Sequence, residues 1–391
     1  MSRIISIGTA VPEFGTKQND LLAFMVSAYN NNETDSRKLN LLFKNSGIET
    51  RYSVVPDFDL ASSNHDLFDQ NSSLPNVEKR LSIFKNHAIS LAVKAIQNSV
   101  DELNVDISSF GFTHIITVTC TGLYSPGIDA ELIEFLKLPE DIFHTSINFM
   151  GCNAAFHALK IADLIARCEM NAKVLVICVE LCTLHFQPKN NHDNLLSNTI
   201  FGDGAAAVII TSDSYANQRQ YKGFEINGFS SALYSKGKSL MGWNVTPVNF
   251  EMILDASVPE FLGGEINNIV HNALFKLKSK VEDINRWAVH PGGKKILDVI
   301  KKQLPLSQDD LQYSYKVLKE FGNMSSPTIL FVLKEMSQVH LKADEKIFAI
   351  GFGPGLSIES ALITYVSGKF DIRKSLKDTN SLILKTDLYV F

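Results

Sequence analysis

The chain has 391 residues, 45% of them hydrophobic and 20% charged, with a formal net charge of −5. That length supports a large core, as two domains or one duplicated α/β unit, and an acidic balance without a basic run argues against a nucleic-acid partner. No apolar run nears the ~20 residues that cross a bilayer.

From the N-terminus, "MSRIISIGTAVPEF" meets Pro12 too early to hold a signal-peptide core. The five cysteines, Cys120, Cys152, Cys168, Cys178 and Cys182, are odd in number and lack CxxC spacing. Neither a disulfide framework nor a metal site is expected, and the expected location is cytoplasmic. A helical pattern, "RLSIFKNHAISLAVKAIQNSV", is followed by "THIITVTCTG", a strand entering a loop. "INFMGCNAAFHALKIADLIA" then reads as strand, glycine, polar residue and helix, "AKVLVICVE" as a buried strand, and "GDGAAAVIITS" as another.

The same order returns further on. The helix "GGEINNIVHNALFKLKSKV" precedes "NRWAVHPGG", a strand entering a loop; "EFGNMSSPTILFVLKEM" is turn, glycine, polar residue and helix; "EKIFAIGFGPG" and "GLSIESALITY" close the set. The repetition predicts an α/β fold of two halves, residues 1–224 and 225–391, the second carrying an extension from about residue 367. Aligning the halves puts Cys152 and Asn323 in equivalent places, each after a glycine at the start of a central helix, with His290 ending a neighbouring strand.

A cysteine at a helix N-terminus meets the positive end of the dipole and free backbone N–H groups, which favour the nucleophilic thiolate. A nearby histidine would stabilise it further and exchange protons with it. His290, before Pro291 and two glycines, is at a strand's carboxyl end, where α/β proteins gather ligands. Asn323 offers an amide donor, although a helix N-cap would equally explain an asparagine there. Together the three suit one chemistry. A thiolate carries an acyl group as a thioester, and two donors hold the carbonyl oxygen of a second thioester while it loses CO₂ to become an enolate. No cofactor is needed, and the nucleotide, zinc-protease and serine-hydrolase motifs are absent.

"MGCNAAFHALK", "FGDGAAA", "HPGGKKIL", "GNMSS" and "GFGPG", in this order over roughly residues 1–366, resemble the type III polyketide synthases, the chalcone-synthase-like branch of the thiolase-fold condensing enzymes. The resemblance implies a five-layered αβαβα fold, a homodimer, acyl-CoA and malonyl-CoA as substrates, no cofactor, and a pyrone or phenolic product. It implies that Cys152 bears the acyl group, with His290 and Asn323 as its partners. It further implies that Phe201 is a gate between CoA tunnel and cavity, with Phe250 (or Met252) beside it, and that Cys120, His185 and Ser325 line the cavity. Lys38 matches one position of the family's basic CoA-phosphate clamp. Leu41 and Asn45 depart from it, leaving Lys44, Lys294 or Lys295 to compensate. The "TCTG" stretch resembles that of bacterial makers of alkylpyrones and alkylresorcinols, which implies a fatty acyl starter. The alternatives are a single-step ketoacyl-carrier-protein synthase III-like enzyme and a non-enzymatic scaffold.

Overall fold

A computed structural model describes residues 1–29, 33–58, 66–68 and 74–368. The C-terminal extension from residue 369 onward lies outside the described residues. Nine strands form the main sheet: β1 (Ser2–Ala10), β2 (His114–Thr119), β3 (Phe143–Asn148), β4 (Lys173–Leu181), β5 (Asp203–Ser212), β6 (Gly223–Leu233), β7 (Arg286–Val289), β8 (Lys346–Gly353) and β9 (Ser357–Val366). Their spatial order is β7-β8-β9-β6-β1-β5-β4-β2-β3.

The order contains the same arrangement twice. In the first half β3, β2 and β4 run parallel, while β5 is antiparallel to both β4 and β1. In the second, β7 and β8 run parallel, and β9 is antiparallel to both β8 and β6. A short antiparallel pairing of Ser2–Ile4 with Phe224–Ile226 joins the halves. The repetition is not complete. The helix Gln312–Phe321 precedes Asn323 where β3 precedes Cys152.

Side-chain alternation sorts these strands into layers. Along β4, Leu175, Ile177 and Val179 face one core with the helix α1 (Val77–Asp101), whereas Val174, Val176 and Cys178 face another. Along β8, Ile347 and Ala349 join that second core, while Phe348, Ile350 and Phe352 face a third with α2 (Val258–Lys276). Strands covered on both faces must be apolar at every position, which is why these runs are nearly continuous. The middle core holds the helices Ala154–Cys168 and Thr328–Ser337. Ala154, Ala155, Ala158, Ala162 and Ala166 keep the first of these slim between the two halves of the sheet. The result is the five-layered, thiolase-like αβαβα fold. Cys152 and His290 follow the carboxyl ends of β3 and β7 respectively.

Candidate active site

Cys152 stands at the end of a bent connection between β3 and the central helix Ala154–Cys168. Phe149 and Gly151 both have positive φ, +59° and +81°. At Gly151 the backbone passes so near Pro354 that an added Cβ would lie 2.2 Å from its ring, so only glycine fits there. The "GFGPG" loop of the second half thereby presses on the turn that presents the cysteine.

Asn323 reaches the same place from the other half. Its backbone N–H donates to the Ile200 carbonyl at 2.9 Å and its carbonyl accepts from Gly202 N–H at 3.0 Å. The side-chain Oδ1 accepts from the Ser325 N–H at 2.9 Å, which fixes the amide's orientation. Nδ2 is thereby left 4.0 Å from Cys152 Sγ and 3.5 Å from the Gly292 carbonyl. The expectation that Asn323 opens a helix needs correction: the helix begins at Thr328, with Pro327 at its N-cap. Asn323 Oδ1 instead organises a loop in which Ser325 takes a φ of +61°.

Cys152, His290 and Asn323 line one cavity of about 20 Å³ with Phe201, Met241, Met252, Leu254, Gly292, Ile296 and Phe352. That is room for little more than one water molecule. His290 is 1% exposed, and neither ring nitrogen has a hydrogen-bond partner. Burial pushes its pKa down to about 3 and pushes the Cys152 thiol up to about 11. The Glu180 charge adds to the rise at Cys152, while the Asn323 amide opposes it. In the closed cavity, desolvation works against the thiolate expected from the helix terminus and histidine and favours a neutral thiol and imidazole.

Phe201 is in this cavity and also lines a second one, of about 30 Å³, with Cys182 and Arg51. Ser325 is buried two residues beyond Asn323, and its hydroxyl has no hydrogen-bond partner. Cys120 and His185, expected to line the cavity, and Phe250, expected at the gate, are not among the residues that line it. Cys120 is fully buried, and its Sγ accepts the Gly151 N–H at 3.0 Å, so it braces the turn behind Cys152. His185 is consumed by architecture: Nε2 is 2.8 Å from the Thr121 carbonyl and Nδ1 accepts the Phe250 N–H at 3.0 Å. Phe250 stacks on His185 with ring centres 4.6 Å apart and packs against Phe149. Met252, two residues along the same strand, takes the cavity position instead. Met241, on the paired strand, also lines the cavity and carried no sequence signal.

Lys38 is exposed and pairs with Asp35 of its own helix at 3.3 Å. Lys294 pairs with Asp298 at 2.8 Å, and its stem lies against Gly47. Lys44 and Lys295 are exposed, and no ion pair engages either among the described residues.

Residues 1–214 match the profile of the chalcone and stilbene synthases' N-terminal domain, and residues 231–367 match that of their C-terminal domain. The chain is 28% identical over 373 residues to the 3,5-dihydroxyphenylacetyl-CoA synthase of Streptomyces toyocaensis, covering 93% of this chain and 90% of that protein. It is 29% identical over 329 residues to an alpha-pyrone synthesis polyketide synthase-like protein of Mycobacterium tuberculosis, covering 83% of this chain and 81% of that one. The crystal structure of PKS-I from the brown alga Ectocarpus siliculosus aligns with a TM-score of 0.83 at 26% identity, over 93% of this chain and 98% of that chain. These relatives lend no support to the single-step ketoacyl-carrier-protein synthase alternative.

Proposed function

The chain belongs to the chalcone and stilbene synthase family and is a type III polyketide synthase, and from that premise we propose how its residues divide the work. Cys152 takes the acyl group from a starter acyl-CoA: its thiol proton passes to His290 and on to the departing CoA thiolate, and a thioester remains. Malonyl-CoA then loses CO₂, and its thioester oxygen, now an enolate, is held by His290 and Asn323. The enolate carbon attacks the Cys152 thioester, releasing the cysteine and leaving a chain two carbons longer on CoA. Repetition and ring closure give a pyrone or phenolic product.

The observation that carries this reading is the Asn323 amide, oriented by its own loop toward Cys152 Sγ at 4.0 Å, in one cavity with an imidazole whose two nitrogens have no other partner. A neutral imidazole suits both tasks, since it offers one N–H donor and one basic nitrogen. The cavity's apolar wall of Met241, Met252, Leu254, Ile296 and Phe352 supports a fatty acyl starter, and methionines can rearrange as it enters. Of the lysines considered for CoA phosphates, Lys44 and Lys295 have no ion pair among the described residues, whereas Lys38 and Lys294 are engaged. A homodimer is the assembly we favour. β3 is a half-exposed edge strand, and Phe143, Leu123 and Met150 expose apolar surface near it. No helix among the described residues is long and apolar enough to cross a membrane.

Incubating the purified protein with malonyl-CoA and a panel of acyl-CoA starters, then weighing the products, tests the proposal. Products extended by several two-carbon units support it. A single condensation, or none, overturns it.

A further inference from the structure

A buried acid between the two loops of the site remains outside this account. Glu180, near the end of β4, is wholly buried, and among the described residues no Lys, Arg or His forms an ion pair with it. An acid in that position is costly unless several donors surround it. Its Oε2 accepts from the Cys120 N–H at 2.9 Å and the Thr121 hydroxyl at 2.8 Å, and its Oε1 from the Ser326 hydroxyl at 2.6 Å.

Each arm ends at one of the proposed catalytic loops. On one side, Cys120 Sγ accepts the N–H of Gly151, the residue before Cys152. On the other, Ser326 follows Ser325, whose N–H orients the Asn323 amide. The two loops come from different halves of the chain, and nothing in their local sequence sets the gap between them. We propose that Glu180 is a positioning residue that ties the Cys152 turn to the Asn323 loop and so sets the distance between nucleophile and oxyanion donor. The inference rests on the roles proposed above for Cys152 and Asn323.

A carboxylate suits the task because it only accepts, so the Thr121 and Ser326 hydroxyls must both donate to it. Thr121 Oγ1 then remains free to accept the Leu181 N–H at 2.9 Å, which locks the connection back onto β4. Burial pushes the Glu180 pKa up, and the Ser326, Cys120 and Thr121 donors oppose that rise; a charge kept here works against the thiolate of Cys152.

The test uses the full chain with Glu180→Ala, Glu180→Gln and Ser326→Ala, and Cys152→Ala as reference. Malonyl-CoA decarboxylation, starter loading and thermal melting are measured on each. Displacement of a reacting group by about 1 Å costs on the order of 10²-fold. Glu180→Ala should therefore lose about 10²-fold in both decarboxylation and loading, and Ser326→Ala should lose decarboxylation while loading persists. Glu180→Gln should recover most of both, because its carbonyl can accept from Cys120 and Thr121 while its amide donates to Ser326. Rescue by glutamine, which keeps the hydrogen bonds and drops the charge, is the readout that separates a positioning role from simple loss of packing. Wild-type rates in folded Glu180→Ala, or a glutamine variant no better than alanine, would each overturn the anchor. Full condensation by Cys152→Ala would instead sink the underlying catalytic reading.

Discussion

His185 and His290 occupy matching physical situations and do opposite things. Both are buried, 7% and 1% exposed, and burial pushes both pKa values down to about 3. His185 spends its two nitrogens on Thr121 and Phe250 and its ring face on Phe250, closing a wall between a 3₁₀ turn and a strand. His290 spends neither nitrogen, and its ring opens on the cavity that holds Cys152 and Asn323. Burial and titration do not separate the histidine spent on architecture from the one proposed to react. The unmet hydrogen-bonding capacity does.

Removing the reactive side of that contrast should have the largest effect. Loss of one oxyanion donor costs ~10²–10³ in rate. Asn323→Ala should therefore cut malonyl-CoA decarboxylation by about that factor while Cys152 still accepts a starter, because its thiol does not depend on the amide for loading. If loading falls as far as decarboxylation, the asparagine is structural. His290→Leu should abolish decarboxylation yet melt no lower than the parent, since a ring with two unmet nitrogens contributes little to stability.

His185→Leu should show the reverse pattern. It strands the Thr121 carbonyl and the Phe250 N–H, at about 1–3 kcal/mol for each unmet buried group. Chemical denaturation should register that loss, while the folded fraction keeps a decarboxylation rate near the parent's. A drop in rate without a drop in stability would place His185 in the chemistry after all.

The next effect is smaller and depends on pH. Both histidines are neutral when folded, with pKa values of about 3, whereas unfolded histidine titrates near pH ~6.5. The unfolded chain therefore binds more protons between those values, and stability falls as pH drops through that window, by about 1.4 kcal/mol per pH unit for each histidine. Denaturation across the window should show a shallower slope in His290→Leu than in the parent. Equal slopes would mean that His290 is protonated in the native state.

The smallest effect is on starter choice. Each buried CH₂ should add about 0.8 kcal/mol of binding until the space is full. Because Met252 lines the cavity, Met252→Phe should move the preferred acyl-CoA toward shorter chains, and coumaroyl-CoA should be a poor starter throughout. An unmoved length profile would remove Met252 from the acyl path. Cys120 is the wrong residue for that test, because its sulfur is bonded to Gly151.

The layers were legible in the sequence because doubly covered strands must be apolar throughout, and the repeated order of strand, loop and helix exposed the duplication. The three residues that share the cavity were legible because each follows a strand or glycine turn with small neighbours. Side-chain direction was not. Cys120, His185 and Phe250 lie in or beside loops, where neither the helical nor the strand period tells which way a side chain points. Glu180 did leave a signal, a lone acid ending the run "AKVLVICVE". Its partners, however, lie up to 146 residues away in the chain. The desolvation that works against a Cys152 thiolate was hidden for a related reason. The helix terminus is a local feature, whereas desolvation follows from walls supplied by both halves.

The central claim, that Cys152 carries the growing acyl group, can be tested by one measurement. The protein is mixed with a fatty acyl-CoA without malonyl-CoA, quenched in acid, digested and weighed peptide by peptide. The acyl mass should appear on the peptide containing Cys152, and Cys152→Ala should show no acylated peptide and make no product. Acylation of Cys120 or Cys182 instead, or product formation by Cys152→Ala, would contradict the account.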